Sequence, residues 1–139
     1  MKTHFFARLF IALILLSPAA CSPLRTNRIS FGSLDADQFA KVIERKDVTL
    51  VDVRTAEEFA AGHIEGADHN IDVRKTTFID DATNALPNDG IIAVYCKGGV
   101  RSKTAASQLA ARGYKVVELR TGFDGWIKSG GKTTVQHTN

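Results

Sequence analysis

Five apolar residues, Ile91-Ile92-Ala93-Val94-Tyr95, run without a break into Cys96-Lys97-Gly98-Gly99-Val100-Arg101, and Ser102 to Arg112 then reads as a helix. A strand leaving through a glycine-bearing loop into a helix is part of a βαβ unit, and the rest of the chain alternates in the same way. Thr49–Val53 is a second buried-strand run and Lys115–Leu119 a third, with smaller strands expected at Arg28–Ser30 and Ala67–Ile71. Asp35 with Gln38 and Thr55 with Glu58 form two capping boxes, in which the N-cap and the residue three further on satisfy each other's backbone donors. The first opens a helix with Phe39, Val42 and Ile43 on one face, the second a short helix ending near Ala61. A polar helix falls within 75–85, and Gly122–Ser129 is a terminal helix with Trp126 and Ile127 available to pack. Ala105, Ala106, Leu109 and Ala110 give the 102–112 helix a face of mostly small residues that lies close on a sheet. Gly113 is placed to end that helix in the left-handed conformation, with Tyr114 as its apolar cap contact. Residues 130–139 are polar and expected to fray.

The first twenty residues read differently. Lys2 and Arg8 precede an unbroken apolar run, Leu9 to Leu16, and Ser17-Pro18-Ala19-Ala20 is a small-residue exit, which is the layout of a secretory signal. The run is too short for the roughly 20 residues that a membrane-spanning helix needs. A buried N-terminal helix is the alternative. Cys21 after Ala19-Ala20 resembles the acylated cysteine of a bacterial lipobox, although Pro18 stands where Leu is usual; a cut after Ala19 by ordinary signal peptidase is the rival. The expected organisation is a signal at 1–20, a tether at 21–27 lipidated at Cys21 in the lipobox reading, a domain at 28–130 and a flexible tail at 131–139. The expected location is periplasmic, with the lipid anchor on the outer membrane.

Removing the signal changes the charge. Lys2 and Arg8 leave and no acid does, so the formal charge falls from +3 to +1. No Lys/Arg cluster remains to track a phosphate backbone, which excludes nucleic acid as a partner. About 119 residues are left, one domain with one core. Export permits disulfides, yet the chain has two cysteines, Cys21 and Cys96. If Cys21 is acylated, Cys96 is a solitary thiol that is either a small buried hydrophobe or a reactive group.

Its neighbours favour reactivity. Ligands of open α/β sheets bind beyond the carboxyl ends of the strands, where Cys96 falls. Gly98 and Gly99 allow backbone angles that turn successive N–H groups inward as an anion nest. The following helix brings the positive end of its dipole. Arg101 adds a permanent cation, with Lys97 and Lys103 near it. Such surroundings bring a cysteine pKa from about 8.5 down to roughly 3.5–7.5, so a reachable, ionised nucleophile is expected without a histidine base.

The chain at this point resembles the rhodanese family over nearly the whole expected domain. Leu50-Val51-Asp52-Val53-Arg54-Thr55-Ala56-Glu57-Glu58-Phe59, continuing into Gly62-His63-Ile64-Glu65-Gly66-Ala67, resembles the family's first signature. Tyr95 to Ser102 resembles its active-site loop, and Gly113-Tyr114 with Gly122-Phe123-Asp124-Gly125-Trp126 is similar to its closing segment. Glu65 replaces a common Pro. The resemblance implies a three-layer α/β fold with a mainly parallel sheet of about five strands and helices on both faces. It implies a sulfurtransferase in which Cys96 takes a sulfur from a small anionic donor such as thiosulfate, carries it as a persulfide and gives it to a thiol or cyanide. Cys96 and Arg101 are then catalytic, and the backbone of Lys97, Gly98, Gly99, Val100 and Ser102 holds the transferred sulfur as an oxyanion hole holds charge. No metal or organic cofactor is implied, and a monomer is expected. The alternatives are a non-catalytic sulfur carrier or binding module, and a phosphatase or arsenate reductase. Against the last, four residues separate Cys96 from Arg101, one fewer than in the related cell-cycle phosphatases.

Asp52 and Arg54 end a strand, expected on the same face as Cys96; a supporting role is weighed against a structural pair, the reading preferred for charges at strand ends. His63 matches a family position and is read as orienting a turn. His69 and His137 have no metal-ligand spacing. Glu57 and Glu58 are read as helix-surface charge.

Overall fold

The computed structural model describes residues 30–135; the signal, Cys21 and the tether lie outside the described residues. The elements are β1 (Gly32–Leu34), α1 (Ala36–Ile43), β2 (Val48–Asp52), α2 (Ala56–Ala61), β3 (His63–Ile64), β4 (His69–Asn70), α3 (Phe78–Ala85), β5 (Ile91–Tyr95), α4 (Val100–Ala111), β6 (Lys115–Leu119), α5 (Gly122–Lys128) and β7 (Thr133–Thr134). Five of the strands make one sheet in the order β1-β6-β5-β2-β4, parallel at every pairing. Helices cover both faces, so the three-layer α/β architecture expected from the sequence is present.

Strand parity divides the core. Successive side chains of a strand point to opposite faces. Ile92 and Val94 of β5 therefore join Val51, Val53 and Val116 against Ala105, Ala106 and Leu109 of α4 and Phe78 and Ala82 of α3. Ala93 and Tyr95 face the other way, with Leu50 and Leu119, against Phe39 of α1 and Trp126 of α5. Phe39 and Trp126 meet edge to face at 6.3 Å. The alanines of α4 let its backbone lie close above β5 and β6, and that contact fixes where the helix begins relative to the end of β5.

Both capping boxes form. Asp35 accepts from the Gln38 N–H at 2.9 Å, and Thr55 from the Glu58 N–H at 3.2 Å, with the reciprocal bonds in place. Gly113 takes φ +92°, and its N–H and that of Tyr114 donate to Ala110 and Leu109 carbonyls as the helix-ending motif requires. The first strand among the described residues is Gly32–Leu34, where the chain registers on Val117–Leu119; Arg28 and Ile29 of the strand expected at 28–30 lie outside the described residues. Three expectations are corrected. The strand read at 67–71 shrinks to His69–Asn70, paired to Val51–Asp52. Ile127 does not pack in the core but is 52% exposed. The chain does not fray at 130, since Thr133–Thr134 pairs antiparallel with His63–Ile64 and the Trp126 indole N–H donates to the Lys132 carbonyl at 2.9 Å.

Candidate active site

Cys96 is the residue after β5, and it keeps the parity of Ile92 and Val94, so its side chain turns toward α4. The loop beyond it closes tightly. Gly99 sits at φ +99°, and a β-carbon there would lie 2.1 Å from the Arg120 carbonyl oxygen. That left-handed turn aims the Gly99 N–H at Cys96 Sγ, 3.1 Å away. Gly98 has no such constraint: its φ is ordinary and a β-carbon would meet nothing within 4 Å, which corrects the expectation of special angles at both glycines. From above, the start of α5 clasps the loop, with the Phe123 and Asp124 N–H groups donating to the Cys96 and Lys97 carbonyls at 2.7 and 3.0 Å. Gly122 permits this approach, because a β-carbon there would come within 2.7 Å of both carbonyl oxygens.

The remaining loop amides are free. Among the described residues the N–H groups of Lys97, Gly98, Val100, Arg101 and Ser102 donate to no protein atom. Three of these belong to the first turn of α4, where a helix leaves its N–H groups unpaired and its dipole positive. Of the amides expected from the sequence to line an anion nest, the Gly99 N–H is the one seen on the sulfur.

The sulfur itself is more enclosed than expected. Cys96 is 1% exposed, with the apolar side of α4 below it and polar partners beside it: the Gly99 N–H and the Ser102 hydroxyl, to which the thiol donates at 3.5 Å. The one hydroxyl proton of Ser102 has two acceptors in reach, the Gly99 carbonyl at 3.0 Å and Glu118 Oε2 at 3.1 Å. The loop beyond it is at the surface, with Val100 79% exposed and Gly98 exposed.

Arg101 was expected as a permanent cation at the loop. Its guanidinium instead forms a fork with the carboxylate of Glu58, at 2.7 and 2.8 Å. Glu58 is therefore not surface charge. It closes the α2 capping box and at the same time ties α2 to α4, and the Arg101 guanidinium holds its carboxyl at about 2. Hydrogen bonding to Glu58 is also the main cause that raises Arg101, and Arg101 remains near enough to Cys96 to feel charge on it. Lys97 likewise spends its charge on a neighbour, pairing with Asp124 at 2.7 Å. The rim is less basic than the residue count suggests.

Asp52 and Arg54 form a buried ion pair at 2.6 Å. They lie on the face opposite Cys96, with Arg54 over the rings of Phe123 and Tyr95 at 4.3 and 5.7 Å and donating to the Gly62 carbonyl at 2.7 Å. Burial first, and Asp52 next, push the Tyr95 phenol above its ordinary range. Tyr95 accepts from the Ile64 N–H at 3.1 Å, so this cluster ties the end of β5 to the turn after α2. His63 stacks on Phe59 and bonds the Phe59 carbonyl through Nδ1 at 2.9 Å, a turn-orienting position. Two contributors escaped the sequence reading. Glu58 was visible only as a cap, and Glu118 was visible only as a charge at an inward-facing parity of Val116-Val117-Glu118-Leu119.

Residues 35–129 match the family model described as the rhodanese-like domain, and the chain belongs to the rhodanese-like domain family. It is 34% identical over 98 residues to the thiosulfate sulfurtransferase GlpE of Shewanella oneidensis, covering 70% of this chain and 93% of that protein. It is 30% identical over 102 residues to GlpE of Actinobacillus pleuropneumoniae, covering 73% and 91%. The crystal structure of a rhodanese-like domain protein from Staphylococcus aureus superposes with a TM-score of 0.64 at 32% identity, over 77% of this chain and all of that one.

Proposed function

We propose that this protein is a thiosulfate or persulfide sulfurtransferase in which Cys96 carries the transferred atom. The observation that supports it most is a run of loop amides without protein acceptors directly after a cysteine that already accepts from the Gly99 N–H at 3.1 Å. The named activity of the GlpE relatives agrees with it. In the first step Cys96 Sγ attacks the outer sulfur of thiosulfate. The new S–S bond forms as the old one breaks, and sulfite leaves with the bonding pair. The outer sulfur, now the anionic end of a persulfide, takes its hydrogen bonds from the loop amides that have no protein acceptor. In the second step a thiolate or cyanide takes that sulfur and Cys96 returns to its starting state.

The chemistry asks little of Arg101 as a ligand. Its fork with Glu58 leaves it to fix the first turn of α4 and to supply a field at the loop. Export belongs to the same proposal: residues 1–20 direct the chain to the periplasm and Cys21 is acylated there, which labelling with a radioactive fatty acid and a Cys21→Ser variant test directly.

The transfer itself is tested by treating the protein with thiosulfate and taking an intact mass. The parent gains one sulfur atom that cyanide removes, and Cys96→Ser gains none. A parent whose mass does not change, with its thiol reduced, overturns the assignment in favour of a binding module.

A further inference from the structure

Glu118 is the one fully buried carboxylate on the Cys96 side of the sheet among the described residues, 0% exposed, and the mechanism above does not use it. By parity it belongs with Val116, at a position that β6 gives to the core beneath α4. Its register partners are Val94 on β5 and Ser33 on β1. Among the described residues no Lys, Arg or His nitrogen lies within 4.0 Å of it. A carboxylate without a cation is expensive to bury, and among the described residues its side-chain partners are hydroxyls: Ser33 on one oxygen, and Ser102 on the other at 3.1 Å. Ser102 in turn receives the Cys96 thiol at 3.5 Å. A continuous path, Cys96 Sγ to Ser102 Oγ to Glu118 Oε2, therefore joins the sulfur to a buried carboxylate.

We infer that Cys96 and Glu118 share one proton through the Ser102 hydroxyl, and that Glu118 is the positioning residue that receives it when the sulfur ionises. This rests on Cys96 being the nucleophile. As the Sγ proton passes to Ser102 Oγ, the serine's own proton passes to Glu118 Oε2. The sulfur keeps the S–H bonding pair and becomes the anion, the carboxylate becomes a neutral acid, and the total charge of the three groups is unchanged. The direction of every hydrogen bond in the path then reverses. Glu118 donates to Ser102, and Ser102 donates to the sulfur, which now has two donors, Ser102 and the Gly99 N–H. The negative charge moves from a pocket supplied by hydroxyls to the open end of a helix dipole. A sulfur that is 1% exposed thereby loses its proton without a water in contact with it.

Among the described residues the charged groups facing this path are few. On the sulfur side stands Arg101 of α4, forked to Glu58 of α2 and with Asp72 within its field; Lys97 of the loop is committed to Asp124 of α5. On the carboxylate side β1 and α4 present Ser33 and Ser102.

Two ionisable groups that share a proton lose their protons in two macroscopic steps. The test follows the ultraviolet absorbance of the thiolate against pH in the full chain, with the Cys96→Ser profile subtracted to remove Cys21 and the tyrosines. The parent rises in two steps. Glu118→Gln, which keeps the shape and polarity of the side chain, rises in one. Ser102→Ala, which cuts the path and leaves the carboxylate, also rises in one, so the expectation survives if either variant fails to fold. A single step in the parent, or a profile that Glu118→Gln leaves superimposable, overturns the inference. No sulfur donor is present, so the outcomes separate. A single-step profile with persulfide formation intact sinks the role of Glu118 alone, and a two-step profile with no persulfide sinks the sulfurtransferase reading alone.

Discussion

Gly98 and Gly99 are adjacent in the loop but under unlike constraints, and substitution separates them. Gly99 holds φ +99°, with the Arg120 carbonyl oxygen 2.1 Å from where a β-carbon would stand. An alanine there must leave the left-handed region or push the Arg120 carbonyl away, at a cost of about 1–3 kcal/mol from the backbone alone. Either movement takes the N–H off Cys96 Sγ. Gly99→Ala is expected to slow persulfide formation on the order of a hundredfold, the scale for losing one preorganised donor, and to lower the melting temperature. Gly98→Ala is expected to melt with the parent, because its space is open and its φ ordinary. Stopped-flow loss of thiosulfate-dependent adduct, read beside thermal melts, checks both; equal melting of the two variants would count against the geometry of the turn. The sequence showed two glycines after a cysteine but not which one the fold requires, since that depends on a carbonyl of Arg120 brought close by tertiary packing.

The elements legible in the sequence are those whose cause is local. Both capping boxes, the apolar runs of β2, β5 and β6 and the glycine stop of α4 each lie within a few residues of their own partners, and each formed. The two-residue strands β3 and β7 were invisible because neither has a pattern of its own; they exist only because Ile64 and Thr133 meet. In the site the same division holds. Cys96, the Gly99 N–H on its sulfur and the α4 dipole came from contiguous residues, whereas the Glu58–Arg101 fork and the Glu118–Ser102 bond join residues 43 and 16 positions apart. The β7 clasp carries its own prediction. A β-carbon on Gly131 would lie 2.1 Å from the Trp126 ring, a buried side chain with little room to shift. Gly131→Ala is expected to destabilise the domain by about 1–3 kcal/mol, the range for overpacking, or roughly 4–8 °C of melting temperature per kcal/mol for a domain of this size. Unaltered melting, with no change in Trp126 fluorescence, would show that the segment after α5 is not packed on the core.

Across the whole molecule, the parallel order β1-β6-β5-β2-β4 brings the carboxyl ends of the strands to one edge, and charged pairs lock that edge. Asp52–Arg54 fixes the end of β2, and Glu58–Arg101 joins α2 to α4 across the mouth of the Cys96 loop. The second pair makes stability depend on pH in a stated direction. Glu58 ionises at 4.5 when unperturbed and at about 2 in the fold, held there chiefly by the Arg101 guanidinium. A depressed folded value means that the folded state holds the proton less tightly than the unfolded chain does. The contribution is therefore complete above 4.5 and is lost as the pH falls toward about 2. Glu58→Gln isolates this term, because glutamine serves equally well in a capping box and preserves the bond to the Thr55 N–H. For a partly exposed but bidentate pair the loss is about 1 kcal/mol at neutral pH. Urea unfolding of parent and variant should show a constant gap in stability from neutral pH down to roughly 5, narrowing below that and closing near 2. A gap that does not change with pH would mean that Glu58 supports the fold through its packing and its cap, and that the fork with Arg101 adds nothing to the stability of the edge on which the Cys96 loop rests.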